Sequence, residues 1–102
     1  MEGKFNRYKS SHHVHTNMSK AALNMLTLTC GSYFAKGNIY MNSVDTGWVS
    51  EMDPFNLYKL KRTVPLDELD GAMRVLDPII DGINKKNFVH SKFFKDYKES
   101  LW

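Results

Sequence analysis

TNMSKAALNM, residues 16–25, is the stretch that decides the fold. Its apolar residues recur at helical spacing, and this period continues to about residue 34, which predicts a helix over 16–36. Apolar residues occupy two sides of that helix, so we expect one side to cover a sheet and the other to meet a second helix or another subunit. The two stripes are Met18, Ala21, Ala22, Met25 and Leu28, and Leu23, Leu26, Cys30 and Phe34.

Polar residues are expected to set the ends of this helix. Thr16 or Asn17 can cap the first turn by accepting a backbone N–H, and Gly37 can take the left-handed conformation that ends many helices. Lys20 lies about one turn into the helix, where a positive charge opposes the helix dipole at a cost of roughly 0.3–1 kcal/mol. Such a lysine either extends to solvent or binds a ligand, and helix electrostatics alone favours solvent.

The composition is that of one small globular domain. The 102 residues are 42% hydrophobic, and 14 Lys and Arg against 11 Asp and Glu give a formal charge of +3. This mild excess permits contact with a phosphate-bearing ligand but does not predict nucleic-acid binding. Cys30 is the only cysteine, which fits a reducing compartment. No apolar run approaches the roughly 20 residues that span a bilayer, and no signal-peptide core opens the chain. We therefore expect a soluble cytoplasmic protein without a membrane partner.

The rest of the chain suggests α/β layers, because a strand is predicted directly after the first helix. Loops at the C-terminal ends of parallel strands bind ligands in such folds, although composition alone favours an ordinary turn over Asp45-Thr46-Gly47. We predict one domain, divided into a lead-in loop (1–15), the helix (16–36), a strand (38–44), a long loop (45–64), a second helix (65–83) and a terminal strand with a tail (88–102).

The second helix has clear end signals. Pro65 suits a first-turn position, and acidic residues follow it, where the helix dipole favours negative charge. Pro78 is expected to kink the helix or to end its regular part near Leu76-Asp77. Its predicted apolar face consists of Leu69, Ala72, Met73, Leu76, Ile80 and Ile83.

Histidines cluster at His12, His13 and His15. Neutral imidazole binds zinc, copper and nickel, but a closed zinc site needs about four ligands. Cys30 and His90 are the other nitrogen or sulfur donors, and nothing in the sequence places them nearby. We therefore expect a polar loop before the helix and no metal site.

The order of four short motifs resembles the C-terminal part of a short-chain dehydrogenase/reductase. TNMSKAALNM is followed by a strand and by SVDTGWV (43–49), and PLDELDGAMRVLDPI and KFFKDYKESLW are similar to the closing helix and strand of one branch of that family. The resemblance covers nearly the whole chain. It implies a fragment of a Rossmann-like doubly wound parallel sheet, with two main helices and one or two strands.

The resemblance also implies roles for two residues of the first helix. In that family a Tyr-x-x-x-Lys motif supplies a tyrosine that transfers a proton and a lysine that holds the nicotinamide ribose and lowers the tyrosine pKa. Lys20 matches the lysine, whereas Thr16 stands at the tyrosine position. A threonine hydroxyl has no usable pKa near neutrality. Tyr8 is the alternative phenol.

Cofactor contacts are implied after the predicted strand. Thr46 and Gly47 stand where the family has Pro-Gly, and Val49 and Ser50 follow them, so all four are expected to bind the cofactor. The segment 50–64 is the expected substrate-binding loop. The glycine-rich dinucleotide loop of the family has no counterpart in these residues, so the resemblance implies that the N-terminal half is missing.

The implied activity is NAD(P)-dependent hydride transfer between a carbonyl and an alcohol. NAD or NADP is the cofactor of the full-length family, and we expect this chain alone to be inactive and not to bind it tightly. A homo-oligomer through the 17–34 helix is a further expectation. The alternative is a non-catalytic remnant that acts as a protein-association module. The hypothesis of a nucleic-acid-binding protein is supported only by the pI of about 9.0 and by the lysines of the loops.

Overall fold

The computed structural model of the chain describes residues 2–49 and 64–102, which form an α/β arrangement of two helices and a three-stranded mixed sheet. Neither helix of these ranges is long and apolar enough to cross a membrane. The elements in chain order are α1 (Val14–Ala35), β1 (Ser43–Asp45), α2 (Glu68–Lys85), β2 (Phe93–Lys95) and β3 (Lys98–Ser100).

The sheet has the order β1-β2-β3. Strands β1 and β2 are parallel, with Ser43 opposite Phe93, so they need a crossover connection, and α2 lies within it. Strands β2 and β3 are antiparallel and joined through Asp96 and Tyr97, whose φ angles are 49° and 63°. Two left-handed residues make the tight turn that suits twisted hairpins. The prediction of one terminal strand and of at most two strands was therefore wrong, because this turn lies inside KFFKDY.

Strand β1 begins at Ser43, so the prediction of a strand from residue 38 was wrong. Asn42 explains the late start. Its side-chain Nδ2 donates to the Val89 carbonyl (2.9 Å), and its Oδ1 accepts from the Lys92 backbone N–H (3.1 Å). These side-chain bonds flank one main-chain bond, from the Ser91 N–H to the Met41 carbonyl (2.8 Å), and the regular ladder of paired residues begins at Ser43.

Helix α1 begins before the residues that were predicted to cap it. His13 occupies the N-cap with φ 58° and makes no side-chain cap hydrogen bond. Thr16 and Asn17 lie within the first turn, so the capping prediction was wrong. At the other end, Asn38 takes the left-handed conformation (φ 61°), and Gly37 does not. Asparagine tolerates this conformation better than most residues.

Helix α2 begins at a capping box rather than at Pro65. The Asp67 carboxylate accepts from the Asp70 backbone N–H (2.8 Å), and the Asp67 N–H donates to the Asp70 carboxylate (3.3 Å). This reciprocal pair satisfies two N–H groups that a helix start leaves open. The helix continues through Pro78 to Lys85, so Pro78 does not end it.

Glycines form the side of α2 that faces the rest of the protein. A Cβ at Gly71 would lie 3.1 Å from the Val49 side chain, and one at Gly82 would lie 3.2 Å from Phe88. These close approaches turn the small residues inward. The face that was predicted to be apolar core is instead exposed: Leu69, Ala72, Met73, Leu76, Ile80 and Ile83.

Helix α1 contacts the sheet through a small, partly polar face. Thr27, only 6% exposed, accepts a hydrogen bond from the Ser43 hydroxyl (3.0 Å), and Gly31 packs against the Ser91 backbone. Neither apolar stripe is buried, so the expected sandwich is absent from the described residues. The stripe residues that are exposed are Met18, Ala22, Leu23, Met25, Leu26 and Leu28.

Phe93 is the one apolar side chain that is buried within residues 2–49 and 64–102, with 5% of its surface exposed. The Lys4 ammonium lies 4.5 Å from its ring centroid, and the Trp102 ring lies at 5.8 Å. The small core is therefore centred on β2.

Gly31→Ala is expected to destabilise the fold. A Cβ at this position would collide with the Ser91 Oγ and lie 3.1 Å from the Ser91 nitrogen and 3.2 Å from its Cα, so both the Ser91 side chain and its backbone must shift. Overpacking costs about 1–3 kcal/mol, and the gain in helix propensity offsets at most about 1 kcal/mol. Urea unfolding should therefore show a net loss of roughly 1–2 kcal/mol.

Gly37→Ala is the matched control. The atom nearest to a Cβ there is the Phe34 carbonyl oxygen at 3.5 Å, an ordinary contact. Its free energy of unfolding should stay within about 0.5 kcal/mol of the original. Equal losses in the two variants would contradict the packing assigned to Gly31.

Candidate functional site

The geometry of the candidate site follows from the reversal of the chain between α1 and β1. The Ile39 N–H donates to the Phe34 carbonyl near the end of α1 (3.1 Å). Further along, the Ser43 hydroxyl donates to Thr27, nearer the middle of α1. Residues later in the chain towards β1 thus contact residues earlier in α1, so β1 runs antiparallel to α1.

Lys20 and the residues after β1 therefore lie at the same end of the molecule. Lys20 is two turns before Thr27, which is about 10 Å along a helix that rises 1.5 Å per residue. Thr46 is three residues beyond Ser43, which is also about 10 Å at the rise of a strand. Measured from the Ser43–Thr27 hydrogen bond, Lys20 and the carboxyl end of β1 therefore lie in the same direction and at similar distances along their elements.

The N-terminal segment passes beside Lys20. A Cβ at Gly3 would lie 2.6 Å from the Lys20 carbonyl carbon, and the Gly3 N–H donates to the Asn17 side chain (3.3 Å). Gly3 has φ 76°, a conformation that favours glycine. The Lys20 side chain itself is exposed, and Thr16 lies one turn earlier on α1, partly buried.

Lys4 is a buried cation that no pattern in the sequence singled out. It is 2% exposed, and its Nζ donates to the Ser100 hydroxyl (2.9 Å). Burial lowers the pKa of Lys4, Arg7 and Lys95 lower it further, and the Asp45 carboxylate acts in the opposite direction. A lysine in a polar lead-in loop is ordinarily solvated, so only the folded structure reveals this position.

Residues 45–49, hereafter the Asp45 loop, carry most of the predicted cofactor contacts. The Asp45 Oδ1 accepts a hydrogen bond from the Gly47 N–H (2.9 Å), and Gly47 has φ 79°. An aspartate that binds the backbone two residues on makes a local turn, and a Cβ at Gly47 would collide with Leu66. Both the left-handed backbone and the close neighbour therefore require glycine here.

Asp45 is also paired with a strand residue. Its Oδ2 accepts from the Lys95 ammonium at 3.2 Å, and its side chain is 12% exposed. Burial acts to raise the pKa of Asp45, but the Gly47 hydrogen bond and the positive charges around it, Lys95 among them, outweigh burial and lower the pKa to about 2. The carboxylate is thus ionised at any ordinary pH.

The remaining predicted site residues have fewer described contacts with Lys20 or with Asp45. Val49 packs on Gly71 of α2, which anchors the far end of the Asp45 loop. Ser50 and the rest of the expected substrate-binding loop through residue 63 lie outside the described residues. Tyr8, the alternative phenol, is 91% exposed.

Metal ligands and cavities give no further site at this end. Among residues 2–49 and 64–102, no group of three His, Cys, Asp or Glu is positioned to hold a metal ion. A cleft of about 280 Å³ is lined by the end of α1, including Tyr33 and Ile39. A second, of about 260 Å³, lies between α2 and the β2–β3 hairpin. Neither cleft includes Lys20 or the Asp45 loop.

Comparison with known proteins gives one distant relative. No protein-family model and no solved structure matches the chain. An uncharacterized protein of Acanthamoeba polyphaga mimivirus is 33% identical over 108 aligned positions, which cover 96% of this chain. The same alignment covers 22% of the mimivirus protein, so the chain corresponds to a small part of that longer relative.

The hydrogen bonds and charges around the Asp45 carboxylate together predict a defined loss of stability in acid. Because the pKa of Asp45 is lowered from 3.8 to about 2, its contribution is complete above about pH 4 and is lost as the pH falls through 2. At about 1.4 kcal/mol per pKa unit the contribution is roughly 2 kcal/mol. Asp45→Asn should therefore lower the free energy of unfolding at pH 7 and flatten its decline between pH 4 and pH 2.

Asp81→Asn is the control for this titration. Asp81 also pairs with a lysine, at 2.7 Å, but both side chains are more than half exposed. Exposed pairs contribute little, so its pH profile in denaturant unfolding should match that of the original protein. Parallel profiles for Asp45→Asn and the original protein would contradict the role assigned to the Asp45 carboxylate.

Proposed function

We propose that these residues form the C-terminal part of an NAD(P)-dependent short-chain oxidoreductase, in which Lys20 and the Asp45 loop share one nicotinamide site. The observation that carries this proposal is the Ser43–Thr27 hydrogen bond, since β1 runs antiparallel to α1 and both Lys20 and the carboxyl end of β1 lie on the same side of that contact. In α/β sheets, ligands bind outside the carboxyl ends of the strands. A lysine at that edge can hold the hydroxyls of a ribose.

The topology supports the same proposal. Strands β1 and β2 are parallel neighbours with α2 between them along the chain, which is the repeating unit of a doubly wound sheet. On this proposal the three strands are one end of a Rossmann-like sheet, and the hairpin strand β3 is an addition to it.

Each predicted residue then has a limited task. Lys20 would hold the ribose, and the backbone of Thr46, Gly47 and Val49 would line the carboxamide side of the site. Bound NAD or NADP supplies the hydride chemistry. Thr16 stands at the proton-donor position but lacks an acidic proton near neutrality, so we infer that this chain does not reduce a carbonyl by itself. The substrate class is a small carbonyl or alcohol, and the location is cytoplasmic.

A non-catalytic association module is the second candidate, and the exposed apolar surface favours it. Met18 is 67% exposed and Met25 is 57% exposed on α1, and Leu69 is 68% exposed on α2. Large exposed apolar patches mark interaction sites in soluble proteins. A homo-oligomer through the 17–34 region of α1 is the simplest form of this candidate.

Titration of NADH or NADPH followed by nucleotide fluorescence separates the two candidates. We expect weak binding, with Kd on the order of 1 mM, which corresponds to a binding free energy of about −4 kcal/mol. Lys20→Met should weaken binding about tenfold, the effect of losing one charge-assisted hydrogen bond of about 1.4 kcal/mol.

Lys36→Met is the control, because Lys36 lies at the other end of α1 and is exposed. It should leave nucleotide binding unchanged. Sedimentation of the same samples measures self-association. Concentration-dependent oligomers without any nucleotide binding would support the association module and overturn the oxidoreductase proposal.

A further inference from the structure

The Asp45 carboxylate performs two tasks at once. One oxygen accepts from the Gly47 N–H at 2.9 Å and thereby holds the turn of the Asp45 loop. The other accepts from the Lys95 ammonium at 3.2 Å. Since β1 and β2 are in register with Asp45 opposite Lys95, the ion pair lies at the carboxyl ends of two adjacent parallel strands. Any displacement of Lys95 therefore acts on the turn.

Lys95 is in turn held by the hairpin. Its ammonium lies 3.5 Å from the Asp96 carboxylate, and the other oxygen of Asp96 lies 3.6 Å from the Arg74 Nε. Asp45, Lys95, Asp96 and Arg74 thus alternate in charge along one continuous path, hereafter the charge chain. Opposite charges at these distances attract one another.

Arg74 connects the charge chain to α2 and back to the loop. Its Nη1 donates to the Asp70 carbonyl (3.0 Å), and its guanidinium lies 5.2 Å from the Tyr97 ring centroid. Its side chain is 11% exposed, and its Nε makes no hydrogen bond. A Cβ at Gly47 would lie 3.9 Å from that same Nε. Arg74 therefore lies beside the loop at Gly47, without a hydrogen bond from its Nε.

We propose that the charge chain is a positioning device that fixes the Asp45 loop from the β2–β3 hairpin. Asp45 and Lys95 are the positioning residues, and they act through Gly47 rather than by touching a ligand. The inference rests on the proposed function only in assigning this loop to the nicotinamide site. The control of the loop by the hairpin stands on the contacts alone.

Two features make the hairpin a firm anchor. Asp96 and Tyr97 both take left-handed backbone conformations in the two-residue turn, which sets the directions of their side chains. Arg74 stacks on Tyr97 while it pairs with Asp96, so one cation holds both residues of the turn. A lysine could not reproduce this, because only the planar guanidinium stacks and pairs together.

The test uses amide hydrogen exchange of the full chain, read by NMR at Gly47 and, as an internal reference, at Ser43. The Ser43 N–H donates to the Lys92 carbonyl at 2.9 Å and reports the stability of the sheet. We expect Lys95→Met to raise the ratio of the Gly47 exchange rate to the Ser43 rate about tenfold, the effect of losing one hydrogen bond of ordinary strength. A loss of overall stability would raise both rates and leave the ratio unchanged.

Lys98→Met is the matched control. Lys98 pairs in register with Lys95 across the hairpin, but it is exposed and lies outside the charge chain. In Lys98→Met the ratio of the Gly47 exchange rate to the Ser43 rate should equal that of the original protein. In Lys95→Arg, which keeps the charge, the ratio should remain close to the original value. Equal ratios for Lys95→Met and Lys98→Met would overturn the proposal. If Lys95→Met does not fold, Lys95→Gln provides the same comparison.

NADH titration of the same variants distinguishes a failure of this inference from a failure of the proposed function. If the original chain binds NADH, Lys95→Met should weaken binding severalfold while Lys98→Met does not, and unchanged binding would overturn the positioning role. If the original chain does not bind NADH but the exchange ratio rises in Lys95→Met, the hairpin controls the loop and the nicotinamide assignment fails.

Discussion

The parallel pairing of β1 with β2 is the constraint on which the rest of the structure depends. Parallel neighbours cannot be joined by a tight turn, so the chain must leave the sheet after Asp45 and return through α2. The register of the pair also places Asp45 opposite Lys95. One backbone arrangement thus sets the position of the second helix and creates the ion pair that holds the Asp45 loop.

Close packing in this protein is concentrated at small residues and polar tethers rather than in a broad core. Phe93 is the one buried apolar side chain of the described ranges, whereas Gly31, Gly71 and Gly82 lie at close approaches between a helix and its neighbours. The radius of gyration is 15.5 Å, against about 13 Å for a compact domain of this length. The apolar faces of both helices are left exposed, and this surface is what the association proposal rests on.

The sequence predicted the features that depend on local periodicity and failed where tertiary contacts decide. Two helices and the α/β arrangement follow from apolar spacing, and the turn at Gly47 follows from glycine after Asp45. The start of β1 does not follow from the sequence, because the Asn42 side chain bonds the backbone of Val89 and Lys92, which lie far along the chain. The usual rule that the apolar stripe of a helix faces the core failed for α2, because its glycines face inward and its apolar residues are exposed.

The candidate site residues stay a prediction, and the charged groups around them could not be predicted from the sequence. Lys20, Thr46 and Gly47 were chosen from the resemblance, and the reversal of the chain brings them to one end. Lys4, Arg74 and Asp96 had no sequence signal, because isolated charged residues are ordinarily solvated. The burial of Lys4 and Arg74 and the pairing of Asp96 depend on contacts between residues far apart in the chain.

Chemical-shift mapping by NMR with added NADH or NADPH tests the central claim most directly, since it locates the nucleotide on the folded chain. The account predicts that the shifted amides cluster at Lys20 and at Thr46 to Val49, while those lining the cleft at the end of α1, such as Gly37, stay in place. Shifts confined to either cleft, or no shift at saturating nucleotide, would contradict it.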